Sequence, residues 1–478
     1  MTAATQETDL PEVANSAAPN RWQKLRIKNL LREADERSKD GEGMLLSLSR
    51  TRGLIPYSSE TGRPPSAANL IGYKICRPGQ IVMNRMQAWS GVFAISHHIG
   101  VVSPDYAVFN PTPLATPEYL IYLLRSPHLV SLFAAESKGI GTGFNRLYTE
   151  RFGAIPVALP DVREQQEIAR YLAFQDQKMV RLVANKRRLI ALLNEEKQAI
   201  IQQAVTRGLD PDVPMKPSGV EWLEEIPAHW ELLPFLRCVA ERADYRGATP
   251  EKVDSGIQLL TAKNIRVGWI DYESSKEFVR VDDYHRIMRR GLPRTNDILF
   301  TMEAPLGNAA LVDREDIALA QRVVRFRMDE QKMLPDFAIF SLLAPYFQQQ
   351  LQLRATGSTA SGIKASKLPQ LLVISPPIHE QSQVVEKLKA AQGEIDQAVQ
   401  RVTREIDLIR EFRTRLIADV VTGQLDVREA AASLPDTDFH QSQGLMEEAD
   451  QQVQEYGSLN GDDLVAVAVD DFDEASLN

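Results

Sequence analysis

The sequence predicts an α+β protein. Two tandem α/β domains in a pseudo-twofold arrangement are separated by two long helices that form an antiparallel coiled coil. Three observations predict this. Residues 154–210 align without a gap on residues 370–426, at a constant offset of 216. Each copy carries a long run of seam residues at alternating spacings of four and three, without a proline, which is an a/d heptad pattern. The motif Pro19-Asn20-Arg21-Trp22 returns as Pro227-Ala228-His229-Trp230, 208 residues on. The segment ahead of each helix is therefore duplicated too, and one unit used twice constrains the whole architecture.

Residues 1–20 read as a disordered lead. Residues 21–158 form the first domain. Strand-like runs occur at Gly43–Leu48, Gln80–Asn84, Val92–Ile95 and Tyr106–Phe109. A helix is expected from Pro117 through Phe133, and a glycine-rich loop follows at Lys138–Gly143.

Residues 159–217 hold the first long helix and a linker, with Leu172, Met179, Leu182, Leu189 and Leu193 on its seam. Residues 218–375 repeat the domain. Strands are expected at Ile257–Leu260, Asp297–Phe300 and Val323–Phe326, then a helix from Pro335 to about Leu353 and the loop Thr356–Thr359. Residues 376–428 hold the second helix, with Leu388, Ile395, Val402, Ile409 and Leu416 on its seam. Each helix is approached through prolines (Pro160; Pro376-Pro377) and stops near a glycine (Gly208; Gly423). At roughly 40 residues it is about 60 Å long. The first helix leads from domain one to domain two, and the second must lead back, so the pair is antiparallel.

With 44% hydrophobic and 25% charged residues the chain of 478 has an ordinary globular composition, long enough for more than one core. No run is apolar enough to span a bilayer, and residues 1–20 lack signal-peptide character. Two distant cysteines, Cys76 and Cys238, form no ligand cluster and fit a reducing cytoplasm. The net charge of −9 is concentrated at the ends. Residues 429–478 hold 13 acidic and no basic residues, and read as a disordered acidic tail. Residues 1–20 hold three more acids. The body 21–428 therefore carries 55 bases against 48 acids, a net of +7, compatible with a polyanion partner or with scatter around neutrality.

Enzymatic motifs fail on their own geometry. The stretch Gly357–Lys364 has a P-loop flavour, but Ile363 separates Gly362 from Lys364 and no apolar strand feeds it. Gly139–Gly143 follows a helix, the wrong context for a dinucleotide fingerprint. Glu195-Glu196-Lys197 lies about 50 Å along a helix from Asp161, too far to share a metal. Ser375-Pro376-Pro377-Ile378 lacks the amide and aromatic ring of an amino-methyltransferase loop. His97-His98 has no third ligand at useful spacing, and no Ser/His/Asp arrangement has recognisable context.

The remaining polar clusters suit DNA contact. Arg50 and Arg52 follow one strand; Arg85, Gln87 and Trp89 follow another; Lys263, Asn264 and Arg266 follow the strand at 257–260. Asn145, Arg146, Ser358, Thr359 and Lys364 flank or occupy the glycine-rich loops. Arg and Lys can bridge guanine edges, and Asn or Gln adenine edges. Any one of these residues can equally serve as a solvated loop charge or a phosphate contact.

Residues 19–428 resemble the specificity subunit of a type I restriction–modification enzyme. Gly219-Val220-Glu221-Trp222-Leu223-Glu224-Glu225-Ile226-Pro227-Ala228-His229-Trp230, the paired lead-ins Leu159-Pro160…Glu164-Gln165 and Pro376-Pro377…Glu380-Gln381, and the two-copy layout carry the likeness. The first domain has no clear counterpart of the Gly-Val-Glu-Trp lead, and the acidic tail falls outside the family pattern.

The resemblance implies two target-recognition domains, each reading one half of a split site on double-stranded DNA, with the coiled coil setting the spacer. It implies DNA adenine methyltransferase subunits (two) and restriction/translocase subunits (two) as partners. No catalytic, cofactor or metal residue is expected in this chain; S-adenosylmethionine and ATP/Mg would sit on the partners. A bacterial cytoplasmic, nucleoid-associated protein is implied. A coiled-coil adaptor without DNA specificity and a self-sufficient DNA-modifying enzyme are the alternatives.

Overall fold

The computed structural model describes residues 19–50, 53–57, 69–139, 145–245, 250–356 and 362–435. Arg52, Ser358, Thr359, the lead up to residue 18 and the tail from 436 lie outside the described residues. The chain divides into two compact units: the described residues up to Arg187 with those from Thr403, and Arg188–Val402.

In unit 1 a four-stranded antiparallel sheet runs in the order Leu31–Ala34, Tyr106–Pro111, Ile81–Asn84, Phe93–Ile95. Val82 pairs with both Val108 and Ala94, which sets the register. Ile81, Val82 and Met83 are all fully buried, because both faces of this inner strand are covered. One face is closed by helices, and Phe93, Phe109, Phe133 and Phe152 meet there at ring centroid distances of 5.3 to 5.7 Å. Small two-stranded sheets, Leu46–Ser49 with Gly53–Pro56 and Lys74–Cys76 with Gly100–Val102, cover the rest.

Unit 2 repeats this order: Val239–Asp244, Val323–Met328, Ile298–Thr301, Ala309–Leu311. Its aromatic cluster is Phe235, Phe300, Phe326 and Phe347. Beside it Ile257–Leu260 pairs in parallel with Ile317–Leu319.

The single helix expected at 117–133 is two helices, Pro117–Leu124 and Pro127–Glu136. The one expected at 335–353 is likewise Pro335–Leu343 and Pro345–Arg354. Pro127 and Pro345 cause both breaks. Proline lacks the N–H a continuing helix needs and pushes the preceding residue into extended backbone; Ser126 and Ala344 have ψ of 143° and 147°.

The two long helices are Val162–Arg207 and Ile378–Val421. Each unit contains a segment of both. In unit 1 Arg413 holds Asp176 at 2.8 and 3.0 Å, and Lys186 holds Glu405 at 2.5 Å. As the number rises on one helix it falls on the other, so the segments are antiparallel. In unit 2 Lys197 meets Asp396 at 2.8 Å, and Ile201 shares a core with Val384 and Leu388.

The seam departs from the heptad reading partway along. In the first helix Ile168, Leu172 and Met179 are buried, but Asp176 and Val183 take the places read for Gln175 and Leu182. Leu182 and Leu189 are 44% and 41% exposed, and Leu193 is half-buried. In the second helix Leu388, Ile395, Val402 and Leu416 are buried and Ile409 half-buried, while Ile406 replaces Glu405 and Phe412 is exposed. The reason is geometric. A straight helix drifts about 20° per heptad from a 3.5-residue repeat. Two successive four-residue steps, 168–172–176 and 398–402–406, absorb the drift.

The helix lead-ins are strands. Pro156–Leu159 pairs with Gln23–Arg26, and Leu372–Ser375 with Glu231–Pro234. Trp22 and Trp230 close the same turn, each donating its backbone N–H at 2.9 Å to Pro19 and Pro227 respectively. Trp230 packs against Gly208, and Trp22 together with the Pro19 ring against Gly423. Both glycines have positive φ, 80° and 74°, and a Cβ at Gly423 would collide with Pro19. After Asp426 the chain continues as a short helix, Arg428–Ala432, docked through Arg170 to the Ala431 carbonyl at 2.7 Å.

Candidate nucleic-acid interface

In unit 1 the strand Ile81–Asn84 ends in a loop that local bonds make rigid. Asn84 accepts the Met86 N–H at 3.0 Å and donates to the Gln87 side-chain oxygen at 3.0 Å. The Trp89 indole N–H is given to the Met86 carbonyl at 3.0 Å, which leaves the ring 40% exposed. Leu147 donates its N–H to the Arg85 carbonyl at 3.0 Å. That bond brings Asn145 and Arg146 alongside Arg85, Gln87 and Trp89. Arg146 lies over the Tyr148 ring at 5.6 Å. Arg50, at the turn after Leu46–Ser49, lines a cavity with Ser90 and Gly91 of this loop and with Arg125, Asp176 and Arg413.

Arg85 and Arg146 are held by carboxylates, Arg146 at 3.4 Å from Asp105. Arg85 donates to Glu33 at 2.7 Å, and Glu33 also accepts from the buried Lys74 at 3.0 Å. Lys74 is 3.1 Å from Asp35 as well. The lysine and Arg37 together hold the Asp35 carboxyl below its ordinary range, the Arg37 hydrogen bond being the larger cause. A buried ammonium with two carboxylates is compensated. Pairing also fixes the direction of Arg85, which lowers the ordering cost of any later contact.

Unit 2 builds the same place from different residues. Ile298–Thr301 ends in the loop 302–307, and Ile363 donates to the Met302 carbonyl at 3.0 Å, the counterpart of the Leu147–Arg85 bond, with Ile363 at the 216 offset from Leu147. Lys364 follows, exposed. The turn after Ile257–Leu260 carries Lys263, Asn264 and Arg266. It is pinned to this loop by Asn308, whose amide donates to the Ile265 carbonyl at 3.0 Å.

Lys263 is exposed, and Arg266 pairs with Asp271 at 3.3 Å. Asn264 is fully buried. Its oxygen accepts from the Thr261 N–H and hydroxyl at 2.9 and 3.0 Å, and its amide donates to the Asp271 and Ser275 carbonyls at 2.9 and 3.0 Å. Those bonds commit the amide to shaping its own loop.

Sequence reasoning missed Trp269, which is 56% exposed on the same turn. Its only sequence signal was a tryptophan beside a glycine. Both free thiols are fully buried, and burial pushes Cys238 up to about 11 and raises Cys76 also; neither is a ready thiolate. Among the described residues no three His, Cys, Asp or Glu side chains gather as metal ligands. No helix among them is long and apolar enough to cross a membrane.

A duplicated α/β domain joined to paired long helices is a fold found in type I restriction–modification assemblies. A chain from the structure "Structural basis underlying complex assembly and conformational transition of the type I R-M system" has a TM-score of 0.59 to this one, with 16% identity, over 85% of this chain and 99% of that one. The curated relatives are type I restriction enzyme specificity subunits. That of MjaVIII from Methanocaldococcus jannaschii is 23% identical over 436 residues, 88% of this chain and 97% of the relative. That of EcoBI from Escherichia coli is 24% identical over 279 residues, covering 56% and 58%. No model of a known protein family matches the chain.

Proposed function

We propose that the chain is the DNA sequence-specificity subunit of a type I restriction–modification complex, and that each unit reads one half of a bipartite site. One observation carries the reading. The two units share sheet order, helix lead-in and loop anchoring, yet the loop after the inner strand is Arg85–Gly91 in one and Met302–Gly307 in the other. Equal scaffolds with unlike side chains suit two different half-sites. Arg, Lys and Gln on such loops match the donor and acceptor pattern of base edges, and Trp89 adds an apolar face.

The helices, 46 and 44 residues long, rise about 65 to 70 Å and would set the unread spacer. The chain itself would be non-catalytic and cofactor-free. Two DNA adenine methyltransferase subunits carrying S-adenosylmethionine, and two restriction/translocase subunits using ATP and Mg, would perform the chemistry in the cytoplasm. The methyltransferase subunits would dock on the helices, which expose Leu182, Leu408 and Phe412 in unit 1 and Leu192 in unit 2. Exchange of residues 21–158 for another specificity subunit's first domain, followed by methylation-site sequencing, tests the proposal. One altered half-site is expected; alteration of both, or of neither, would overturn it.

A further inference from the structure

We propose that Trp269 is a DNA-contacting residue of unit 2, its indole packed on a nucleotide of that unit's half-site while Lys263 and Arg266 meet the flanking phosphates. This rests on the DNA-reading function proposed above and names the side chain that performs it in the second unit.

Three observations support it. First, Trp269 is 56% exposed, whereas Trp22 and Trp230 are 6% and 1% exposed. Leaving so large an apolar surface in water forgoes its contribution to the core, so the fold gains little from a tryptophan here.

Second, the backbone that carries the ring is held. Ile265 and Ile270 bridge at the base of the hairpin and are both buried in a core. Arg266 donates its N–H to the Trp269 carbonyl at 2.9 Å. Gly268, at φ +86°, donates to the Ala309 carbonyl at 2.9 Å. Asn308 and the buried Asn264 hold the two sides of the turn. A two-torsion aromatic on a held backbone loses little freedom on binding.

Third, the neighbours are cationic: Lys263 is exposed and Arg266 is oriented by Asp271, a combination that suits a base or sugar between phosphates.

The test uses the full chain assembled with its methyltransferase subunits and a duplex bearing the site found by methylation sequencing. 2-Aminopurine is placed at successive positions of the half-site assigned to unit 2. Trp269→Ala is expected to weaken binding about tenfold to a hundredfold and to abolish quenching at one 2-aminopurine position, with Trp269→Phe retaining part of both. Melting temperatures within about 2 °C of the parent are expected for both variants, since exposed substitutions shift stability little. Parental affinity and parental quenching in Trp269→Ala would overturn the inference while leaving the DNA-reading function intact. Loss of methyltransferase-subunit binding with parental DNA affinity would overturn it too, by making Trp269 a protein contact. A parent complex that selects no bipartite site would refute the underlying function instead.

Discussion

Gln381 holds the backbone of Leu334 in place: its side-chain oxygen accepts the Leu334 N–H at 2.8 Å, and its amide donates to the Lys332 and Pro376 carbonyls at 2.9 and 2.8 Å. Gln165 does the same in unit 1, accepting from Thr116 and donating to Leu114 and Pro160 at 2.8 to 2.9 Å. Leu334 and Thr116 are the N-caps of the helices Pro335–Leu343 and Pro117–Leu124. A fully buried glutamine thus fastens each domain's helix to the start of its long helix. Gln165→Leu leaves one N–H and two carbonyls without these partners, whereas in Gln381→Leu the Ser375 hydroxyl still serves the Lys332 carbonyl at 3.2 Å; each is expected to cost about 2–3 kcal/mol. Denaturant unfolding measures it; a parental midpoint would remove the clamp from the account.

Asp176 is 2% exposed and is held by Arg413 and by the Tyr122 hydroxyl at 3.1 Å. Arg413→Ala strands that carboxylate and is expected to cost about 3–5 kcal/mol. The double variant Asp176→Leu/Arg413→Met should recover most of the loss, because the pair must overcome its own desolvation. If the double variant melts with the single one, the cost lies in packing.

The two readings of the seam separate cleanly at adjacent residues. Leu182→Glu should change stability by less than about 0.5 kcal/mol. Val183→Glu buries a charge and should cost more than about 3 kcal/mol. The reverse order, read by thermal melting, would restore the strict heptad.

Lys263→Ala is expected to lower DNA affinity across sequences and to reduce the slope of log affinity against log salt by about one. A changed methylation motif with an unchanged salt slope would make Lys263 a base reader rather than a phosphate contact.

Asp426 is held down to about 2, first by the hydrogen bond from the Arg428 side chain and next by the Arg428 backbone N–H. A carboxylate depressed in the folded state adds stability that is present above the ordinary carboxylate value. That stability is lost as pH falls from about 4 toward 2. Both side chains are about half exposed, so the effect is small. Carboxyl NMR titration of Arg428→Ala should place Asp426 nearer its ordinary value; no movement would assign the depression to other groups.

The duplication, the long helices and the inner strands of the two main sheets were legible in the sequence because they follow local periodicity and an ungapped offset. The Glu-Gln pair was visible as a repeat, but its task was not, since the partners of Gln165 lie as far as 51 residues away. The proline breaks at Pro127 and Pro345 were available and outweighed by apolar runs on either side. Leu182 was misplaced because a 3.5-residue template and a 3.6-residue helix part company within two heptads. At the candidate interface the clusters were found, but Asn264's burial and Arg85's tie to Glu33, 52 residues away, are tertiary facts. Trp269 escaped because exposure of a tryptophan cannot be read from its neighbours in sequence.

The contact of Pro19 with Gly423, supported by Arg21 at 3.8 Å from Asp426, brings the two extremities of the duplicated body together. A short peptide joining Asp426 to Pro19 would close that body into a covalent ring with no severed helix. The ring could then be reopened in the stretch 211–214, between the first long helix and the strand Met215–Val220, so that a chain with its halves in the opposite order would encode the same folded object.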